Sequence, residues 1–226
     1  MIFWIIANKI TSEFLIKKYE LKKIENNENI SLYKAWNKIL AVVEENEDSI
    51  DKSLLYIYTE FNPNFIFYIW LWTWISNEHS IWDIVLPNIF LQYDTRIEET
   101  EFKKENIDSF FKWALFIENY HLQKDYDFNK FGLSIGWIWV SGNKKITDDL
   151  IDKTRMAYEA DVYDRNSFSF VNEASKISIL DKIYVILMIW DENSEWLSTI
   201  ISNWIYVFDF ILANLSELEE TLEVEI

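Results

Sequence analysis

Gly132, Gly136 and Gly142 are the only glycines in 226 residues, and all three lie within eleven positions of one another. Sheets made of hairpins need a turn every few residues, and Gly is the residue that enters left-handed backbone without a Cβ penalty. No Asn-Gly or Asp-Gly dipeptide occurs, and only Pro63 and Pro87 break the chain elsewhere. The Gly-rich loops that cradle phosphates in dinucleotide-binding folds are missing as well. This pattern predicts a mainly α protein: a single-domain, irregular multi-helix bundle over 1–226, with a short strand or irregular segment near 131–142.

Apolar spacing supports helices in several windows. Leu32, Tyr33, Trp36, Ile39, Leu40 and Val43 recur by threes and fours, with Ser31 as N-cap. Ile107, Phe110, Phe111, Ala114, Ile117 and His121 repeat the pattern over 106–121. Thr147, followed by Asp148 and Asp149, reads as the start of a helix carrying Leu150, Ile151, Thr154, Ala157 and Tyr158. The longest stripe runs over 194–219 through Leu197, Ile201, Trp204, Phe208, Ile211, Leu215 and Leu218. Phe65 to Ile75 and Ile183 to Trp190 are apolar on every side, so periodicity leaves helix and central strand both open. Asn62-Pro63 and Leu86-Pro87 mark the expected breaks.

Chemistry is harder to find. The chain has no Cys, which removes disulfides, thiolate metal sites and a Cys nucleophile. Gly132-Leu133-Ser134-Ile135-Gly136 spells a G-x-S-x-G nucleophile elbow. An elbow needs a later His to activate its serine, and both His79 and His121 precede Ser134. Glu118 and His121 make one E-x-x-H pair where a di-iron bundle needs two. Neither a metal nor a cofactor is therefore expected. Asp83, Glu60 and Asp209 have apolar neighbours in sequence, and Asp209 falls on the polar side of its stripe. Arg155, Glu159, Asp161, Asp164 and Arg165 gather the polar groups that a pocket would need.

The formal charge of −17 is unevenly distributed. Residues 1–40 carry seven Lys against four Glu, whereas 41–60 carry six acids and one Lys. From Asp191 to Ile226 there are nine acids and neither Lys nor Arg. That balance argues against nucleic acid as a ligand, because phosphate binding needs basic patches. It suits an acidic surface that steers a basic protein. Glu44, Glu45, Glu47, Asp48 and Asp51, with Glu217, Glu219, Glu220 and Glu223, are the expected partner-binding residues. The tail from about 219 is expected to fray.

The first ten residues lack the basic start of a secretory signal, and the longest apolar run falls short of a membrane span. A cytoplasmic compartment with no membrane partner follows as an expectation. Together these features suggest a non-catalytic, acidic binding protein, an immunity protein that neutralises a basic toxin or nuclease. A DNA-mimicking anti-restriction protein and an enzyme with a polar pocket near 155–165 are the alternatives.

Overall fold

Five residues into the described chain, the expectation of a helical bundle already fails: Phe3–Ala7 is a strand. The computed structural model describes residues 3–7, 9–26, 30–44, 47–74, 84–92, 115–116, 133–135, 138–141, 162–164, 166–189, 208, 209 and 213. Its strands are β1 (Phe3–Ala7), β2 (Lys22–Asn26), β3 (Ile30–Ala35), β4 (Lys38–Val43), β5 (Phe65–Trp74) and β6 (Ile84–Leu86). The others are β7 (Ile89–Gln92), β8 (Leu115–Phe116), β9 (Leu133–Ile135), β10 (Ile138–Ser141), β11 (Val162–Asp164) and β12 (Ile183–Ile189). Helices α1 (Lys9–Lys18), α2 (Glu47–Phe61) and α3 (Ser167–Lys176) accompany them. The protein is therefore α/β with a mixed sheet, not mainly α.

The two ambiguous apolar runs are the centre of this sheet. β5 pairs in parallel with β1 on one side and with β12 on the other. β4 pairs in parallel with β1, and β3 and β2 follow antiparallel to the edge. Beyond β12 come β6, antiparallel, and β9, parallel to β6. The far end of β5, at Thr73 and Trp74, turns to pair with β11, which leads to β10, β7 and β8. A strand covered on both faces has no polar side to show, which is why these runs look uniformly apolar.

Alternation sorts the two faces. Trp4, Ile6, Ile39, Ala41, Ile66, Tyr68 and Trp70 join Ile50, Leu54 and Ile57 of α2 and Phe170, Val171 and Ala174 of α3 in one buried cluster. Tyr68 lies at its middle, stacked on Trp70 at 5.1 Å and on Phe170 at 4.7 Å between ring centroids. Ile5, Leu40 and Phe67 are equally buried but stand outside that cluster, as does Leu15 of α1. Phe67 meets Phe208 edge-on at 5.5 Å there. The sheet is thus the middle layer of three.

The predicted helix over 31–43 is instead a hairpin, β3 to β4, in which Ser31 faces Val42 and Ala35 faces Lys38. Its three-and-four spacing arises because β4 lies between β3 and β1, so Ile39, Leu40 and Ala41 are buried consecutively. In the window 106–121, Leu115 and Phe116 form a short strand against β7; its other residues lie outside the described chain, as do those of 147–158. In the long stripe, Phe208, Asp209 and Ala213 are helical. The segment near 131–142 supplies β9 and β10.

Turns are made without glycine. Trp36 occupies the first central position of the two-residue β3–β4 loop at φ 50°. Glu20 (φ 52°), Asn62 (φ 39°) and Ser178 (φ 59°) stand in the left-handed positions that end α1, α2 and α3. After α3 the Ile179 N–H donates to the Ala174 carbonyl (3.0 Å) and the Ser178 N–H to the Ser175 carbonyl (3.1 Å). That is a Schellman closure, with Ile179 buried behind it. After α1, the Leu21 N–H reaches the Ile16 carbonyl at 3.0 Å in the same way. After α2, Asn62 is followed by Pro63, which cannot continue a helix. Glycine scarcity therefore says nothing against strands here, because Glu, Trp, Asn and Ser take its positions.

Candidate functional site

β4, β1, β5 and β12 run in one direction, so Val43, Ala7, Trp74 and Ile189 end at the same edge. From Ala7 the chain turns into α1 on one face, and from Val43 into α2 on the other. Adjacent strands whose connections leave to opposite faces open a crevice at their carboxyl ends, where open α/β sheets hold ligands. This edge is the candidate site. Thr11 and Ser12 are buried hydroxyls in the first turn of α1, and the Ser12 hydroxyl donates to the Lys9 carbonyl at 2.7 Å. Glu44 follows β4 directly and is exposed.

Of the acidic residues nominated from the sequence, Glu44, Glu47, Asp48 and Asp51 lie among the described ones. Asp48 is exposed and lies 3.9 Å from Lys52 on its own helix. Asp51 accepts a hydrogen bond from the Ser169 hydroxyl at 2.9 Å and so ties α2 to α3. Glu47 opens α2. Glu45, Glu217, Glu219, Glu220 and Glu223 lie outside the described residues.

In the polar segment near 155–165, Asp164 ends β11 and is buried. Its carboxylate accepts hydrogen bonds from the Ser167 N–H (2.9 Å) and the Ser167 hydroxyl, closing the first turn of α3. Asp164 is thus engaged with the first residue of α3. Arg155, Glu159, Asp161 and Arg165 lie outside the described residues, as do Asp83, His79, Glu118 and His121. Glu60 is exposed in the last turn of α2. Asp209 is not simply solvated: it accepts a 2.6 Å hydrogen bond from Tyr19 and lies 3.8 Å from the Lys18 ammonium. Burial, and then the bond to Asp209, push the Tyr19 hydroxyl well above the ordinary tyrosine range.

Ser134 lies within β9, opposite Val85. A nucleophile elbow needs its serine at a strand-to-helix turn, and here the next element is another strand, so the motif is accidental. Among the described residues no group of three His, Asp or Glu side chains could hold a metal ion. No described helix is long and apolar enough to cross a membrane.

One residue escaped the sequence reading. Asp191 comes two positions after β12 in the sequence and lies outside the described residues. The sequence signal is an acid two positions beyond the apolar run Ile183–Ile189. It is visible only once that run is known to be a strand.

No protein-family model matches the chain, and no curated protein matches it in sequence. Solved structures do match its shape. The 5′-methylthioadenosine/S-adenosylhomocysteine nucleosidase of Campylobacter jejuni is similar over 96% of this chain and 99% of its own, at TM-score 0.67 and 16% identity. Futalosine hydrolase of Helicobacter pylori aligns over 96% of this chain and 99% of its own, at TM-score 0.68 and 12% identity. A Helicobacter pylori nucleosidase variant with 5′-methylthioadenosine in its active site aligns over 96% of this chain and 98% of its own, at TM-score 0.67 and 13% identity. The chain shares their α/β fold. These likenesses overturn the expectation of an all-α, non-catalytic immunity protein or toxin inhibitor: the scaffold is one that nucleosidases and a futalosine hydrolase use.

Proposed function

We propose that the chain is an enzyme that hydrolyses the N-glycosidic bond of a small nucleoside-derived substrate at the carboxyl edge of β4, β1, β5 and β12. The observation that carries this reading is the match in fold over 96% of the chain to a nucleosidase and to a futalosine hydrolase. It also accounts for a topology that opens a crevice at that edge. We assign the chain to the cytoplasm, in keeping with a sequence that has no Cys to form disulfides.

Cleaving such a bond places a proton on the departing base and adds water to the sugar carbon. A group that donates a proton and one that orients or deprotonates water are therefore needed. Asp191 is the candidate acid. It follows Ile189, the last residue of β12, by two positions in the sequence.

The test is base release from 5′-methylthioadenosine, S-adenosylhomocysteine and futalosine, followed by chromatography. The expected result is release from at least one of them, with Asp191→Asn slowing it by about 10²-fold or more at an unchanged unfolding midpoint. Intact substrate after prolonged incubation, or binding without cleavage, overturns the catalytic reading.

A further inference from the structure

β11 and α3 add a third wall to the crevice at the carboxyl edge. β11 pairs antiparallel with the carboxyl end of β5, Val162 against Trp74 and Tyr163 against Thr73. α3 begins three residues after β11 ends. Its first turn lies level with the second turn of α2, where Asp51 accepts the Ser169 hydroxyl at 2.9 Å. α2 itself starts at that edge, just beyond β4. Strand pairing and helix packing thus agree in placing the start of α3 at the candidate site. The seven buried polar or charged residues among the described ones all lie within the first two turns of α1 and α2 or at this β11–α3 junction.

Asn166 opens α3: its carbonyl accepts the first bond of the helix, from the Phe170 N–H at 3.1 Å. An Asn in this position ordinarily turns its side-chain oxygen onto the N–H of the second or third helical residue. Here it does not. The backbone, at φ −131° and ψ −19°, is away from the extended conformation that such capping uses, and the side chain makes no bond to its helix. Asp164 takes the Ser167 N–H instead. The Asn166 amide is left without a hydrogen bond to any described residue, although the residue is only 5% exposed. Burying an amide without a partner costs stability, and native proteins rarely leave one so unless a ligand or water completes it. Neither amide atom is fully enclosed, so the surface that Asn166 keeps includes the amide.

We propose that Asn166 is a substrate-binding residue whose amide hydrogen-bonds the edge of a purine base. This inference rests on the proposed hydrolysis and assigns one of its contacts. An amide presents a donor and an acceptor side by side in one plane, which complements a purine edge carrying its own adjacent acceptor and donor. A sugar hydroxyl offers no such planar pair. The positive end of the α3 dipole lies beside the amide and favours the base as it takes the electron pair of the breaking bond.

Calorimetric titration with adenine, hypoxanthine and 5-methylthioribose separates base contacts from sugar contacts without needing turnover. The unaltered protein is expected to bind at least one of the two bases. Asn166→Ala should weaken that binding about tenfold or more and leave 5-methylthioribose binding within about twofold. Asn166→Asp keeps the shape of the side chain but loses its donor, and should weaken base binding as well. The urea midpoint of both variants should stay near that of the unaltered protein, because the amide supports no bond of the fold. A lowered midpoint with base and sugar weakened alike would make Asn166 merely structural and overturn the proposal. So would unchanged base affinity in both variants, or loss of sugar binding alone. If neither base binds the unaltered protein the proposal also falls, and base release from the three nucleosides then shows independently whether the proposed activity falls with it.

Discussion

Replacing Ser178 by Gly should make this protein more stable, although the substitution removes a side chain and adds no contact. Ser178 sits at φ 59° in the Schellman turn after α3, and its side chain is exposed. Holding an L-residue with a Cβ in left-handed backbone costs roughly 1–2 kcal/mol. Gly escapes that cost but loses roughly 0.5–1 kcal/mol more chain entropy on folding. The difference favours Gly by about 0.5–1 kcal/mol. Glu20, at φ 52° after α1, is exposed too and is distant in sequence, so Glu20→Gly should contribute a similar, additive amount. For a chain of this length 1 kcal/mol corresponds to about 2–4 °C, and the double variant should therefore melt about 3–6 °C higher. Circular dichroism at 222 nm gives the thermal midpoint. Urea unfolding should show a higher midpoint at an unchanged slope. Asn62→Gly serves as an internal comparison, since Asn enters this region at little cost and its replacement should change stability by only a few tenths of a kcal/mol. The reasoning is refuted if Ser178→Gly and Glu20→Gly leave the midpoint where it was or lower it. It is refuted equally if Asn62→Gly gains as much as they do.

Two further outcomes follow from the core. Phe170 is fully buried against Tyr68, and Phe170→Ala should cost about 3–5 kcal/mol, read as a lowered urea midpoint. Burial, and then the Asp181 charge, push Tyr184 up to about 12, and Tyr19 is raised as well. A raised tyrosine binds its proton more tightly folded than unfolded. The associated stability is complete below about pH 10, the unfolded value, and declines as pH rises from there towards 12. Urea midpoints at pH 8, 10 and 11 should fall in that order, and Tyr184→Phe should flatten the decline.

Two breaks and two apolar blocks could be read from the residues, and the reason the class could not is specific. The breaks at Asn62-Pro63 and Leu86-Pro87 fall where α2 gives way to β5 and β6 to β7. The runs Phe65 to Ile75 and Ile183 to Trp190 stood out as continuous apolar blocks. Their strand character depends on helices covering both faces, which is tertiary information that no local period carries. The 31–43 window misled because two strands and a two-residue turn place six apolar residues at helix-like intervals. The glycine argument misled more deeply: it assumed that left-handed turns require Gly, whereas this chain accepts the strain at Glu20, Trp36 and Ser178. The candidate edge was not legible because the carboxyl ends of β4, β1, β5 and β12 acquire meaning only from the shared direction of those strands. The abundance of Trp is now partly explained, since Trp4 and Trp70 are core residues while Trp36 is nearly fully exposed.

The central position of β5 has a consequence for how the protein is made. Its edge from Ile66 to Trp72 is closed by β12, whose partner residues Ile183 to Ile189 come more than a hundred residues later in the chain. At roughly 5–20 residues per second of synthesis, that edge waits on the order of 6–20 s on the ribosome before its neighbour emerges. Through that interval FIFYIWLWTW, a ten-residue strand without a charge, is bounded on one side only. The nascent chain is therefore most exposed to mispairing before it is complete. Slowing translation within 75–182 should lower the soluble yield more than slowing it after residue 190.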